Sequence, residues 1–196
     1  MSEIFGNPES GDSPENTEST TEVKQEEISD FENDFDKTWS EDDSDPHNED
    51  KTDENGVRHV KCTLEKLEGK THPETGVPYE RKTVEVNGEI IEGVFPQFKS
   101  EYNTKLPEDM YNENDNRQMK YCTEQLREEI KNNPELAEKF DERQLAQIER
   151  GYPRLDGYTW HHSENPGEMQ LVDADIHDQT KHTGGRSIWG GGKECR

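Results

Sequence analysis

Residues 157–187 read GYTWHHSENPGEMQLVDADIHDQTKHTGGRS and contain four of the seven histidines of the chain. His161 and His162 are adjacent, and His177 and His182 follow fifteen and twenty residues after His162. Asp, Glu and a Gly-Gly pair lie among them. Such a concentration of imidazoles next to carboxylates is typical of a metal or catalytic site.

The same stretch predicts two strands followed by a helix. GYTWHH and MQLVD have the length and composition of short strands, and the loop SENPGE between them is rich in turn-forming residues. Asp173 can cap a helix over ADIHDQTKH, which Gly184-Gly185 is expected to end. The histidines therefore lie at the end of the first strand and in the helix.

Three of the four histidines can serve as ligands of a divalent cation, and the fourth as a general base. Neutral imidazole binds such cations, and its pKa suits proton transfer near neutral pH. His177 and His182, five residues apart, would be separated by about 140° on a regular helix, so the helix must loosen near Thr183. Adjacent strand residues point to opposite faces, so His161 and His162 require a strand end or a bulge to act together. The residues alone thus predict metal-assisted hydrolysis.

Upstream of this segment the chain predicts helices. One begins near Asp115 and buries a face made of Met119, Cys122, Leu126 and Ile130. It ends at Asn132-Asn133-Pro134, where Asn133 can cap and Pro134 can begin the short helix PELAEKF. Asp141 and Gln144 resemble a capping box that opens a third helix, closed by Gly151.

Further upstream the chain predicts strands. Val60, Cys62 and Leu64 alternate with polar residues, as in a half-buried strand. In KTVEVNGEIIEGVF, Asn87-Gly88 separates two strand-like runs and is the preferred pair for a type I′ hairpin.

Residues 1–56 differ in composition from the rest of the chain. They hold 20 acidic residues and three lysines, a net charge of −17 out of −24 for all 196 residues. Low hydrophobicity with high charge predicts a disordered tail. Within it Phe31, Phe35 and Trp39 recur every four residues, either as stray aromatic residues or as a short docking helix.

Other sequence features indicate where the protein is made. No run of apolar residues is long enough for a membrane span, and the N-terminus lacks the basic and apolar regions of a secretory signal. Cys62, Cys122 and Cys195 are scattered and odd in number, which favours free thiols over disulfides or a thiolate zinc site. We expect a cytoplasmic protein, with export by a leaderless route as the alternative.

The motif YTWHH…MQLVDADIH…HTGGRS resembles the WHH group of the HNH/endonuclease VII superfamily, which includes bacterial toxin nucleases with a ββα-metal core. The resemblance covers roughly residues 65–192. It implies an HNH-like ββα-metal module at 151–196. Together with the composition and the predicted elements, this gives an α+β fold in three parts: the disordered acidic tail 1–56, a β-hairpin plus helical subdomain 57–150, and the module 151–196.

The resemblance also implies roles for individual residues. His162 is the general base, and one divalent ion (Mg, Zn, Ni or Mn) is held by three ligands, namely His161, His177 and His182. Gln170 stands where the superfamily usually has the Asn that orients the base. Arg186, near the helix end, either contacts a phosphate as a bidentate donor or is an ordinary surface arginine. Trp160 is expected to pack in the core.

The function predicted from these observations is a metal-dependent HNH endonuclease acting on DNA, and a bacterial toxin with a cognate immunity protein as partner. An RNase or tRNase toxin is the alternative among enzymes. An acidic, non-catalytic interaction protein on a degenerate nuclease fold is the alternative outside enzymes. The strong negative charge argues against tight nonspecific binding to nucleic acid. We expect a monomer without a membrane partner.

Overall fold

The computed structural model describes residues 50–192. Within this range the strands and helices follow in the order β1 (Lys51–Thr52), β2 (Val57–His59), β3 (Tyr79–Val86), β4 (Glu89–Pro96), β5 (Ser100–Lys105), α1 (Asp115–Asn132), α2 (Pro134–Ala137), α3 (Glu142–Glu149), β6 (Tyr158–His162), β7 (Glu168–Asp173), α4 (Ala174–Gln179) and α5 (Gly185–Ile188). Short 3-10 turns lie at Glu65–Leu67 and Glu108–Met110. The fold is α+β, as predicted.

The first sheet has the strand order β1-β2-β4-β3 and is built around the predicted hairpin. β3 and β4 pair antiparallel from Tyr79↔Pro96 to Val86↔Glu89. Asn87 and Gly88 both have positive φ, 53° and 82°, as a type I′ turn requires. The hairpin prediction is confirmed.

The second sheet has the order β5-β7-β6 and carries the histidine segment. β6 and β7 pair antiparallel, and α4 follows, so the predicted strand-strand-helix order is confirmed. β5 was not predicted, because SEYNTK is polar and shows no apolar alternation. It pairs antiparallel with β7, with a register shift between Ser100 and Tyr102.

Helix α1 packs its apolar face against this second sheet. Met119, Cys122 and Leu126 are buried, and they share a core with Trp160 and Leu171. Fully burying one such aliphatic side chain stabilises a fold by about 1.5–3 kcal/mol. The helix is thereby fixed behind β6, and Trp160 is a core residue, as predicted.

The cap predictions are confirmed at α3 and only in part at α2. The carboxylate of Asp141 accepts from the backbone N–H of Gln144, and the side-chain oxygen of Gln144 accepts from the backbone N–H of Asp141, so the capping box is complete. Pro134 occupies the first turn of α2, whereas Asn133 makes no side-chain cap.

Two further predictions are wrong in detail. Residues 60–64 do not form a strand: β2 ends at His59, and Leu64 adopts a left-handed backbone before the 3-10 turn. Cys62 is buried in a separate apolar cluster with Tyr79 and Phe95, which accounts for the apolar alternation without a strand. Residues 50–56, expected in the tail, include β1, which pairs with β2.

The described residues on either side of position 150 share one core. That core includes Val84 and Ile91 of the hairpin together with Met169 and Trp189 of the C-terminal segment. Cys62 and Cys122 are free thiols, as predicted. Within residues 50–192, no helix combines the length and the apolar character needed to cross a bilayer. The expectations for residues 1–49, including Phe31, Phe35 and Trp39, and for Cys195 lie outside the described part.

Candidate metal centre

Three of the predicted ligand histidines converge at one point of the fold. His161 comes from β6, His177 from α4, and His182 from the extended segment after α4. One ring nitrogen from each lies within 4.8 Å of the other two. The ring centroids are 4.9–5.3 Å apart. These separations are close enough for small side-chain rotations to bring all three nitrogens onto one ion.

The early end of α4 resolves the difficulty of the five-residue spacing. Asp173 caps α4 by accepting from the backbone N–H of Ile176, as predicted, but the helix ends at Gln179 rather than at Gly184-Gly185. Thr180 leaves the helical conformation with φ −91° and ψ 88°. His182 is therefore not on the helix, and the chain turns back towards His177.

The apolar ring of Phe98 packs against all three histidine rings. Its ring centroid lies 4.8 Å from that of His161, 5.4 Å from that of His177 and 5.3 Å from that of His182. The side chain is buried. Sequence reasoning missed Phe98, because it lies between two strands with no local motif to mark it.

The surroundings of the cluster favour the neutral form of two of its imidazoles, those of His161 and His177. Burial holds the pKa of His161 well below its usual value, and the neighbouring histidines lower it further. Burial, followed by the neighbouring His182 and His162, lowers the pKa of His177 to about 3. A neutral imidazole offers the lone pair that a divalent cation binds. His161 and His177 in this form, next to His182, therefore fit such a cation.

The orientation of the His182 ring is set by a backbone carbonyl. Its Nδ1 atom lies 2.6 Å from the carbonyl oxygen of Thr180, which can only accept. Nδ1 thus carries the proton, and the lone pair is on Nε2. This is the usual outer-shell arrangement of a metal-binding histidine.

His162 faces the opposite side of the sheet from the three ligands. The β6–β7 register is regular, pairing His161 with Gln170 and His162 with Met169. The ring of His162 packs near Trp189, with centroids 5.5 Å apart, and is 7% exposed. Of the two expected alternatives, a strand end or a bulge, the structure has the strand end: β6 ends at His162 and its pairing with β7 is regular. His162 is still near enough to the ligands to contribute to the lowered pKa of His177.

A side chain that the sequence did not single out, Gln118 of α1, holds His162. The Nε2 atom of Gln118 donates to the carbonyl oxygens of Met110 (2.8 Å) and Tyr111 (2.9 Å). Its Oε1 atom therefore accepts, and the Nε2 atom of His162 lies 2.7 Å from it. Neutral His162 thus carries its proton on Nε2 and its lone pair on Nδ1.

Arg186 is buried in the same network. Its guanidinium forms an ion pair with Asp115 at 2.9 Å and donates to Oε1 of Gln118 at 3.1 Å. It also donates to the carbonyl oxygen of Glu113. Arg186 is only 6% exposed. Its contacts with Asp115 and Gln118 join α5 to the start of α1. Its predicted contact with a phosphate stays a prediction.

Gln170 lies on the central strand of the second sheet. It is the partner of His161 in β6 and of Asn103 in β5. This register places it on the same face as the candidate metal ligands, whereas the residue that accepts the hydrogen bond from His162 is Gln118. The predicted role of Gln170 in orienting the base stays a prediction.

The Gly-Gly pair allows α5 to approach the end of β6. A Cβ atom on Gly185 would lie 1.8 Å from the carbonyl oxygen of Ser163. That carbonyl oxygen accepts a hydrogen bond from the indole of Trp189. The pair was expected to end a helix, but Gly184 precedes α5 and Gly185 is its first residue.

Comparison with known families bears on the same segment. Residues 87–184 match the family model described as the DNase/tRNase domain of colicin-like bacteriocin. The match begins in the β3–β4 turn and includes all three ligand histidines. No curated protein and no solved structure shows significant similarity to the chain.

Proposed function

The chain belongs to the family of DNase/tRNase domains of colicin-like bacteriocins, and from that premise we propose that it is a metal-dependent, HNH-type endonuclease. Its substrate would be DNA, and its biological role that of a toxin. The observation that carries the proposal is the convergence of His161, His177 and His182 within 4.8 Å.

The proposed ligands of one divalent ion are His161, His177 and His182. When bound, the ion would stabilise negative charge on the scissile phosphate and on the leaving 3′-oxygen. The chain contributes neutral imidazoles, with the lone pair of His182 directed by the carbonyl of Thr180. Phe98 excludes water from one side of the cluster, which strengthens the electrostatic interactions there.

His162 is the proposed general base. Its neutral ring holds a proton on Nε2 through Gln118, so Nδ1 would take the proton of the attacking water. The hydrogen bonds of Gln118 fix the orientation of the ring.

DNA and RNA are both compatible with the family, whose description names DNase and tRNase domains. We propose DNA as the substrate, with a cognate immunity protein as partner. The convergence of the three ligands argues against a degenerate, non-catalytic nuclease fold.

The experiment that tests this proposal compares two substrates. The purified protein is incubated with supercoiled plasmid and with total RNA, in the presence of Mg²⁺, Mn²⁺, Ni²⁺ or Zn²⁺ and again with EDTA. We expect plasmid cleavage that EDTA abolishes and that His177→Ala reduces strongly. Cleavage of RNA alone would favour the tRNase alternative, and no cleavage of either polymer would refute the enzyme proposal.

A further inference from the structure

The segment that carries His182 is held by residues from the N-terminal sheet region. The hydroxyl of Thr75 lies 2.8 Å from the hydroxyl of Thr180. The phenol of Tyr79 donates to the carbonyl oxygen of Lys181 at 2.5 Å. On the other side of His182, the hydroxyl of Thr183 accepts from the backbone N–H of Thr63 at 3.0 Å.

These contacts replace what a helix would supply. Since α4 ends at Gln179, the backbone N–H of Thr180 makes the last helical hydrogen bonds, to the carbonyl oxygens of Ile176 and His177, and the residues after it depend on other partners. Residues 180, 181 and 183 each gain a partner from the region 63–79, so the backbone on both sides of His182 is fixed.

One of the contacts leads directly to the ligand. Thr180 is 1% exposed, and its hydroxyl meets that of Thr75, while its carbonyl accepts from Nδ1 of His182. Displacement of Thr180 would therefore rotate the ring of His182. Removal of a group that orients a ligand histidine in this way commonly lowers metal affinity about 10–100-fold.

The environment of Tyr79 favours its hydrogen bond to the carbonyl oxygen of Lys181. It is completely buried, and burial raises its pKa to about 12. The phenol thus stays protonated at neutral pH and can donate to the carbonyl oxygen of Lys181. Its ring packs with Phe95 and Val94, so the position of the hydroxyl is fixed by the core.

We propose that Thr75 and Tyr79, with the backbone of Thr63, are positioning residues of the metal centre. All three precede the segment matched by the family, which begins at residue 87. The region 63–79 thereby completes a site whose ligands all lie within the matched segment. This inference rests on the proposed function, because it takes His182 as a metal ligand.

The test uses the full chain and measures metal affinity rather than cleavage. Zn²⁺ affinity, by competition calorimetry, and the Co²⁺ absorption spectrum are compared between the parent and the double variant Thr75→Val/Tyr79→Phe. Tyr79→Phe removes only the phenol hydroxyl, and Thr75→Val replaces the hydroxyl of a half-buried side chain with a methyl group of similar size. We expect affinity to fall roughly 10–100-fold and the Co²⁺ spectrum to change. Thr75→Ser, which keeps a hydroxyl, should bind like the parent.

A matched control separates positioning from general loss of stability. Gln147→Met removes a buried amide that exchanges two 2.8 Å hydrogen bonds with Asp156, away from the histidines. It should lower stability and leave Zn²⁺ affinity unchanged. Parent-like affinity in the double variant would overturn the inference, as would a parent that binds no Zn²⁺. A parent that binds Zn²⁺ through His182 but cleaves no nucleic acid would refute the proposed function alone.

Discussion

The ring of His162 on β6 donates from Nε2 to Oε1 of Gln118 on α1, across 2.7 Å. The amide of Gln118 cannot be reversed without losing its bonds to two carbonyl oxygens, those of Met110 and Tyr111. A residue of the helical region thus determines which nitrogen of the proposed base carries a proton. The orientation of the proposed base and the packing of α1 against the sheet are therefore coupled.

Removal of this acceptor should disturb the tautomer of His162. Gln118→Met keeps the length of the side chain but cannot accept the bond. We expect the Nε2–H tautomer to lose its dominance, and cleavage to fall on the order of tenfold or more because the lone pair is misplaced. Ring ¹⁵N chemical shifts report the tautomer. Gln144→Met, at the α3 capping box, is the control, and unchanged His162 shifts in Gln118→Met would contradict the prediction.

His162→Ala should abolish cleavage without loss of the metal. The loss of a general base typically slows a reaction about 10²–10⁴-fold. Since the ring is buried and hydrogen-bonded, the variant should also lose about 1–3 kcal/mol of stability. Plasmid cleavage measures the loss of activity, and Zn²⁺ titration measures the retained metal binding. Both are carried out below the melting temperature of the variant. An unchanged cleavage rate would refute the assignment of His162.

Arg186 should act mainly on stability. Its ion pair with Asp115 has side chains only 7% and 8% exposed, so removal of one partner leaves a buried charge. Arg186→Met should cost about 3–5 kcal/mol in urea unfolding. Arg143→Met is the control: its ion pair with Asp156 is exposed and should contribute at most about 1 kcal/mol. If Arg186→Met instead raises KM for plasmid at full stability, the phosphate contact is the main role.

The turn of the hairpin and the cap of α4 could be predicted from the sequence, because both depend on residues that are close together in the chain. Asn87-Gly88 requires positive φ at both positions, and Asp173 caps α4 whatever packs around it. Strand β5 and Gln118 could not be predicted from local signals, because their roles depend on partners far along the chain. Strand β5 pairs with β7, which follows some 65 residues later. Gln118 accepts a hydrogen bond from His162, 44 residues later.

The end of α4 illustrates the same limit. The composition of 174–182 allows a helix through His182, and only the contacts of Thr75 and Tyr79 with residues 180 and 181 show why it stops earlier. The three candidate ligands could be proposed from the concentration of histidines in one segment. Their arrangement was not, because it depends on the N-terminal sheet region.

The metal-free protein should lose stability as the pH falls below about 6.5. The pKa of His177 is lowered to about 3 in the folded protein from an ordinary value of 6.5, and that of His161 is also lowered. The unfolded chain therefore binds more protons in this window, so the stability present above pH 6.5 decreases towards acid pH. Urea unfolding in EDTA at a series of pH values above 5 measures the slope. His177→Gln should reduce it, and an unchanged slope would contradict the prediction.

Residues 1–49 should restrain the nuclease rather than assist it. They contain 17 acidic residues and two lysines, tethered to a domain that must bind a polyanion. Such a segment competes with nucleic acid for basic groups at high effective concentration. A protein beginning at residue 50 keeps β1, which a start at Val57 would remove. We expect it to cleave plasmid faster than the full chain at low ionic strength.

Salt distinguishes this electrostatic effect from steric obstruction. Exposed charges are screened over about 8 Å at physiological ionic strength, so the difference between the two proteins should narrow as salt is added. A full-length variant with the acids of residues 1–49 replaced by Asn and Gln keeps the length and removes the charge, and should match the truncated protein. Equal rates of all three proteins at low salt would instead indicate a passive spacer or an arm that binds a partner. Slow cleavage by the neutral variant at every salt concentration would indicate that the length of the segment, and not its charge, obstructs the site.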